Sequence, residues 1–298
     1  MTDASIQSLS MAHDTPRFNL PLPTLGGLQF WTDVRWRSGF RIQRNAITKH
    51  HRLLSPGNVR LAWGTKSQCL DALDKHCPPQ RTGGRCYVVL LHGLLRSSRS
   101  MRTLEKAIRD ADDTEVISFD YASSRAPMSE HAKALGEVLE NLPADATLRF
   151  ACHSMGNIVL RHWIADTQRK GDPCRLLQRC RSLVMLGPPN HGAEIARGLA
   201  PTKIFGWIAG KSAMQLGVDW KDIAPGLATP PFPFHVLMGD VRSFRWHPLI
   251  TGPNDGIVAV EEARLEGAES FELFPVAHGV LIYSKRMVRR TVELLTQS

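Results

Sequence analysis

The rhythm of apolar and polar positions changes near residue 86. Tyr87-Val88-Val89-Leu90-Leu91 is a continuous apolar run, the mark of a short strand covered on both faces. Beyond it the pattern alternates. It predicts a helix over Ser100–Asp110, a strand over Glu115–Phe119, and a helix over Ser129–Leu142 with Ala132, Leu135, Val138, Leu139 and Leu142 on one face. Then follow strand Leu148–Cys152, helix Met155–Ala165, and strands Ser182–Leu186, Phe234–Met238 and Ser270–Phe274, closed by an amphipathic helix from Val280 to Leu295. Buried strands alternating with helices specify an α/β fold, a mostly parallel sheet with helices on both faces.

The first third reads differently. Pro16, Pro21, Pro23, Gly26 and Gly27 punctuate an irregular arm, and Trp31, Trp36 and Phe40 are interleaved with Arg35, Arg37, Arg41, Arg44, Lys49 and Arg52. Only Val59–Trp63 has the pattern of a short strand and Ser67–His76 that of a short helix, before a turn at Arg81-Thr82-Gly83-Gly84. Two parts are therefore expected: an N-terminal extension over 1–83, packed on the core, and the α/β part over 84–298. An insertion at about 191–232 carries Ile204, Phe205, Trp207, Ile208, Met214, Leu216 and Trp220 with several glycines, the composition of a cap or hinged lid.

Charge sharpens this division. The 298 residues carry a net +9, of which +7 falls in residues 1–85 and +2 in the remainder. The excess over residues 31–60 offers a surface to an anionic membrane, with nucleic acid the less favoured partner; the favoured competing reading is the solvated face of an ordinary extension, and arginine also often packs on tryptophan within a fold. No apolar run approaches the length of a membrane span, and Met1–Leu20 lacks the pattern of a secretory signal, so a cytoplasmic or peripheral-membrane location is expected. The six cysteines form no C-x-x-C pair and no zinc spacing with histidine, which points to reduced thiols and no metal; a Cys174–Cys180 bridge is the one alternative.

In a parallel sheet, ligands bind beyond the carboxyl ends of the strands. Cys152-His153-Ser154-Met155-Gly156 joins a strand directly to a helix, and a serine on such a turn has an exposed hydroxyl beside a helix N-terminus. The tripeptide is common in itself, but its neighbours add weight. His278 follows the last strand and precedes the last helix, on the same sheet edge, where it can act as a base for the serine. A carboxylate to orient that histidine is available at Asp255, in Asn254-Asp255-Gly256, or at Asp240, at the end of its strand. The first parallel strand also runs into His92-Gly93-Leu94, so the backbone N–H groups of Leu94 and Met155 are placed to bind an oxyanion. His92 and His153 are expected to pack rather than react.

Taken together, the His92-Gly93-Leu94 loop, the His153-Ser154-Met155-Gly156-Asn157 elbow, Asn254-Asp255-Gly256-Ile257-Val258, Ala277-His278-Gly279 and Gly187-Pro188-Pro189-Asn190-His191-Gly192 resemble the α/β-hydrolase superfamily, most closely its bacterial lipase and esterase branch. The resemblance spans about residues 84–298. It implies Ser154 as nucleophile, His278 as base and Asp255 rather than Asp240 as acid, with Leu94 and Met155 forming the oxyanion hole and no cofactor. Cys152 stands where the elbow usually begins with glycine, and some strain is expected there. The implied activity is hydrolysis of carboxylic esters of a lipid-like small molecule through an acyl-enzyme. The alternatives are acyl transfer, thioesterase or amidase chemistry on the same triad, or a non-catalytic lipid- or nucleic-acid-binding role for the scaffold.

Overall fold

Residues 22–64 carry most of the basic excess and fold into a five-stranded antiparallel sheet, in a computed structural model that describes residues 22–24, 29–79, 84–192, 212, 215–216, 219–241, 250 and 252–297. Its strands are β1 (Leu22–Pro23), β2 (Trp31–Arg37), β3 (Phe40–Asn45), β4 (His51–Leu54) and β5 (Val59–Gly64), in the order β1-β5-β4-β3-β2. Ser38 and Gly39 both have positive φ between Arg37 and Phe40, the two-residue turn whose twist matches that of antiparallel strands. Helix α1 (Lys66–His76) follows, opened by a reciprocal cap in which Thr65 Oγ1 accepts from the Gln68 N–H and Gln68 Oε1 accepts from the Thr65 N–H.

The sequence pattern indicated only β5 and α1 in this region. The reason is chemical: Val34, Ile42 and Leu53 face the shared core, but the neighbouring Asp33, Gln43 and Arg52 on the other face are buried as well, so the strands lack the apolar runs of a sheet covered on both sides. Gln43 donates to Asp33 Oδ1 at 2.8 Å and accepts from Arg52 at 2.8 and 3.0 Å. Other basic side chains of this sheet also find partners: Arg37 meets Asp74, Arg44 meets Glu137, and the Arg52 guanidinium lies 3.8 Å from the centre of the Trp31 ring.

The second sheet contains β6 (Cys86–Leu91), β7 (Glu115–Phe119), β8 (Thr147–His153), β9 (Cys180–Leu186), β10 (Phe234–Gly239) and β11 (Ser270–Phe274). All are parallel, in the order β11-β10-β9-β8-β6-β7. Helices α2 (Arg102–Ala111), α3 (Met128–Leu139) and α4 (Met155–Arg169) alternate with the strands. Two short turns, α5 (Trp220–Ile223) and α6 (Val260–Ala263), precede α7 (Lys285–Thr296). Val88 and Leu90 bury one face with Leu104, Ile108, Met287 and Leu294 of α2 and α7. Val89 and Leu91 bury the other with Leu135, Ile158 and Val159 of α3 and α4. That second core continues through Trp36, Ile42 and Leu53, so the antiparallel sheet shares it; Trp36 meets Tyr87 edge-on at 5.8 Å.

Two expectations change. The last helix begins at Lys285, because His278–Tyr283 form a tighter 3-10 turn and Ser284 is extended. Cys174 and Cys180 are free thiols, one exposed and the other buried with its Sγ 3.2 Å from the Leu176 carbonyl, so no bridge joins them. Of the insertion, residues 193–211, 213–214 and 217–218 lie outside the described residues, and with them Ile204, Phe205, Trp207, Ile208 and Met214. The described part is tied to the start of α3, with Ser212 Oγ donating to the Ala126 carbonyl and Gln215 Oε1 accepting from the Met128 N–H.

Candidate active site

Ser154 joins β8 to α4 with φ 54° and ψ −125°, a conformation that costs an L-residue on the order of 1–3 kcal/mol. Neighbouring bonds hold it there. The Ser154 N–H donates to the Leu186 carbonyl at 2.9 Å, and Asn157 Nδ2 donates to the carbonyls of Cys152 and Ser154 at 3.0 and 2.9 Å. Within residues 152–156 only Ser154 has a positive φ; Cys152 pairs in register with Leu91 and Met185 and is fully buried in the core.

Gly156 lets α4 approach the end of β6. A Cβ there would lie 2.8 Å from the Leu91 carbonyl oxygen and 2.9 Å from that of His92, and neither is a flexible side-chain end. Gly156→Ala is therefore expected to force α4 away from the sheet and to destabilise the fold by about 1–3 kcal/mol. Urea unfolding of the variant beside wild type measures this.

Asp255 lies in the loop between β10 and α6 and is buried. Its Oδ1 accepts from the N–H groups of Ile257 and Val258 at 3.0 and 2.8 Å, and its backbone carbonyl accepts from the His278 N–H at 2.8 Å. The loop thus fixes one carboxylate oxygen and turns the other, Oδ2, toward His278 Nδ1 at 2.7 Å. The opposite ring nitrogen, Nε2, lies 2.8 Å from Ser154 Oγ. A carboxylate only accepts, so Nδ1 carries the proton and Nε2 is left to accept from the serine hydroxyl. The structure brings Ser154, His278 and Asp255 into one relay. Asp240 is buried at the end of β10 and is not part of it, since both ring nitrogens of His278 are already engaged.

Leu94 follows Gly93, where a Cβ would sit 3.1 Å from Ser154 Cβ, so this loop passes directly beside the serine. Met155 is the first residue of α4. Neither backbone N–H donates to a backbone acceptor among the described residues.

The two flanking histidines pack, as their positions suggested. His92 Nδ1 donates to the Gly93 carbonyl, its Nε2 accepts from the Tyr121 N–H at 3.4 Å, and its ring stacks on Tyr121 at 4.1 Å. His153 donates from Nε2 to the His278 carbonyl at 3.2 Å. Burial, reinforced by the nearby His278, drives its pKa well below the ordinary histidine range and keeps it neutral. It is a brace for the loop that carries His278.

Gly187 has a role that the sequence motif did not specify. It has φ 55°, and a Cβ would lie 3.1 Å from His278 Nδ1 and 3.3 Å from Asp255 Oδ2. The signal was present in Gly187-Pro188-Pro189, but the contact is visible only once β9 and β10 are neighbours. No group of three or more potential metal ligands occurs among the described residues.

No protein-family model and no curated protein matches the sequence. Solved structures do. The mature lipase BlEst2 of Bacillus licheniformis is 17% identical, aligned over 73% of this chain and 95% of its own, with TM-score 0.57. Phospholipase PlaB of Legionella pneumophila is 16% identical over 72% of this chain and 60% of its own, with TM-score 0.51. The product of the lin2722 gene of Listeria innocua is 16% identical over 72% of this chain and 95% of its own, with TM-score 0.50. At such identities the shared property is the fold, that of the α/β-hydrolases.

Proposed function

We propose that this chain, an α/β-hydrolase by fold, cleaves carboxylic esters, with Ser154 as nucleophile, His278 as general base and Asp255 as the carboxylate that orients it. The observation that carries the reading is the unbroken relay from Ser154 Oγ to His278 Nε2 at 2.8 Å and from His278 Nδ1 to Asp255 Oδ2 at 2.7 Å, on a strained strand-to-helix turn. As Oγ attacks the ester carbonyl, its proton passes to Nε2, and Asp255 stabilises the imidazolium so formed. The Leu94 and Met155 N–H groups receive the negative oxygen of the tetrahedral intermediate, at the positive end of α4. His278 then gives the proton to the departing alcohol oxygen, and water repeats the sequence on the acyl-enzyme to release the acid.

The surroundings favour an apolar acyl group. Leu95, Ile257, Val280 and Tyr283 are among the exposed large apolar side chains of the described residues, and each stands within five positions of Leu94, Asp255 or His278. Exposed apolar side chains so near in sequence to a polar reacting centre suit an ester of a fatty or otherwise hydrophobic acid. The lipase and phospholipase names of the structural neighbours agree with that class without fixing the substrate.

A fluorophosphonate probe is expected to label wild-type protein at one site. A p-nitrophenyl ester series from acetate to laurate is expected to give the higher kcat/KM for chains longer than acetate. Protein that neither takes the label nor hydrolyses any member of the series would overturn the proposal.

A further inference from the structure

The N-terminal extension does more than share a core with the parallel sheet. It holds the loop that carries Leu94 through a set of bonds centred on Gln29, in the turn that leads into β2. Gln29 Nε2 donates to the Arg96 carbonyl at 2.7 Å. Its Oε1 accepts from Ser123 Oγ at 3.1 Å and from Ser124 Oγ at 2.8 Å. Ser123 Oγ in turn accepts from the Leu95 N–H at 3.0 Å. One side chain from outside the parallel sheet thus grips both ends of the Leu95-Arg96 segment.

That segment needs a grip. Leu95 has φ 57°, a left-handed conformation that its side chain disfavours by about 1–2 kcal/mol, and it is half-exposed, so no core packing compensates. Relaxing Leu95 would rotate the peptide that precedes it, and the orientation of the Leu94 N–H depends on that stretch of backbone. A second clamp lies just beyond. Ser98 donates from N and Oγ to the two carboxylate oxygens of Asp120 at 2.8 Å each, and Arg41 of β3 donates to the same carboxylate at 2.8 Å. Asp33 of β2 exchanges bonds with the Asp120 backbone, both at 2.8 Å. Burial pushes the Asp33 carboxyl up to about 6, while Arg41 holds the equally buried Asp120 below the ordinary range.

We infer that Gln29 is a positioning residue for the oxyanion hole, and that the N-terminal extension is a working part of the active site. It acts through Ser123 and the Arg96 carbonyl to aim the Leu94 N–H. The inference rests on the ester-hydrolase reading for its catalytic consequence, but not for the bracing itself.

The full-length protein tests it with Gln29→Ala, Ser123→Ala, their double variant and Gln29→Glu. The last is nearly isosteric and keeps the acceptor, but it loses the donor to the Arg96 carbonyl. A donor displaced by a fraction of an ångström lowers kcat without weakening ground-state binding. We expect kcat on p-nitrophenyl butyrate to fall about 10- to 100-fold, with KM within about two-fold. The double variant should fall little further than the worse single one, because both act on one segment. Amide hydrogen exchange gives a readout independent of turnover: exchange over residues 92–98 should quicken by about ten-fold or more in each variant, while that of β8 stays unchanged.

Unchanged exchange over 92–98, or kcat within two-fold of wild type in both Gln29→Glu and Ser123→Ala, overturns the inference. If wild type hydrolyses no ester, the functional reading fails, and the exchange data still decide whether Gln29 braces the loop. If Gln29→Ala does not fold, Gln29→Glu and Ser123→Ala carry the test.

Discussion

Ser154→Ala is expected to hydrolyse p-nitrophenyl butyrate at least about 10⁴-fold more slowly than wild type, with kcat bearing the loss and KM little changed. In the proposed mechanism the Oγ is the atom that bonds to the acyl carbon, and among the described residues no other hydroxyl is bonded to His278. Fluorophosphonate labelling should disappear with it. The variant should still fold. Among the described residues the hydroxyl bonds only to His278, while the bonds that hold the turn, from the Ser154 N–H to Leu186 and from Asn157 Nδ2 to the Cys152 and Ser154 carbonyls, remain in place. Alanine has no better claim than serine to φ 54°, so the strain stays and the unfolding midpoint should move little. The residual rate is informative in its own right. Substrate binding and the Leu94 and Met155 N–H groups would still act on a water molecule, so activity above the uncatalysed rate is expected. Retention of more than about 1% of wild-type kcat would mean that another residue attacks the ester.

Much of this site was legible in the sequence because it depends on order and local punctuation. A continuous apolar run, a serine two residues before a glycine, an aspartate in a turn and a histidine after the last strand are each readable without coordinates, and their order along the chain restricts the folds that could unite them. The choice between Asp240 and Asp255 was of another kind. Both are aspartates in loops after β10, which the residues alone left open; the resemblance implied Asp255, and the pair of backbone N–H groups holding its Oδ1 shows how its other oxygen is turned to the imidazole. The N-terminal sheet was not legible, because only one of its faces is apolar, and the other buries Asp33, Gln43 and Arg52, which satisfy one another and read in sequence as solvated positions. Gln29 was beyond reach for a similar reason. Its partners lie 67 and 94 positions further along the chain, and a lone glutamine in an irregular arm carries no pattern. Its importance is a property of the fold and not of its neighbours in sequence.

The bonds around Asp255 make its asparagine variant the sharper test of mechanism. Oδ1 accepts two backbone N–H groups, from Ile257 and Val258. An asparagine at this position is expected to keep its carbonyl oxygen there, because the amide nitrogen would otherwise face two donors with no acceptor. Its NH₂ then replaces Oδ2 beside His278 Nδ1, where wild type accepts a proton at 2.7 Å. A donor facing Nδ1 strips that nitrogen of its hydrogen and puts the ring proton on Nε2. Nε2 would then point a hydrogen at Ser154 Oγ and could no longer accept one, so the base is lost although every heavy atom stays in place. Asp255→Asn is expected to lower kcat by about 10⁴-fold, as the wrong tautomer does in serine hydrolases with this relay. KM should stay within a few-fold of wild type, and the rate of fluorophosphonate labelling should fall in step with kcat. Asp240→Asn is the matched control. It alters a buried carboxylate just after β10, and both ring nitrogens of His278 are bonded to Asp255 and Ser154 instead, so it should lower kcat far less. If the two variants lose activity equally, His278 is not oriented by Asp255 as the hydrogen bonds indicate. If Asp255→Asn keeps near-wild-type kcat, the serine is activated by some other base.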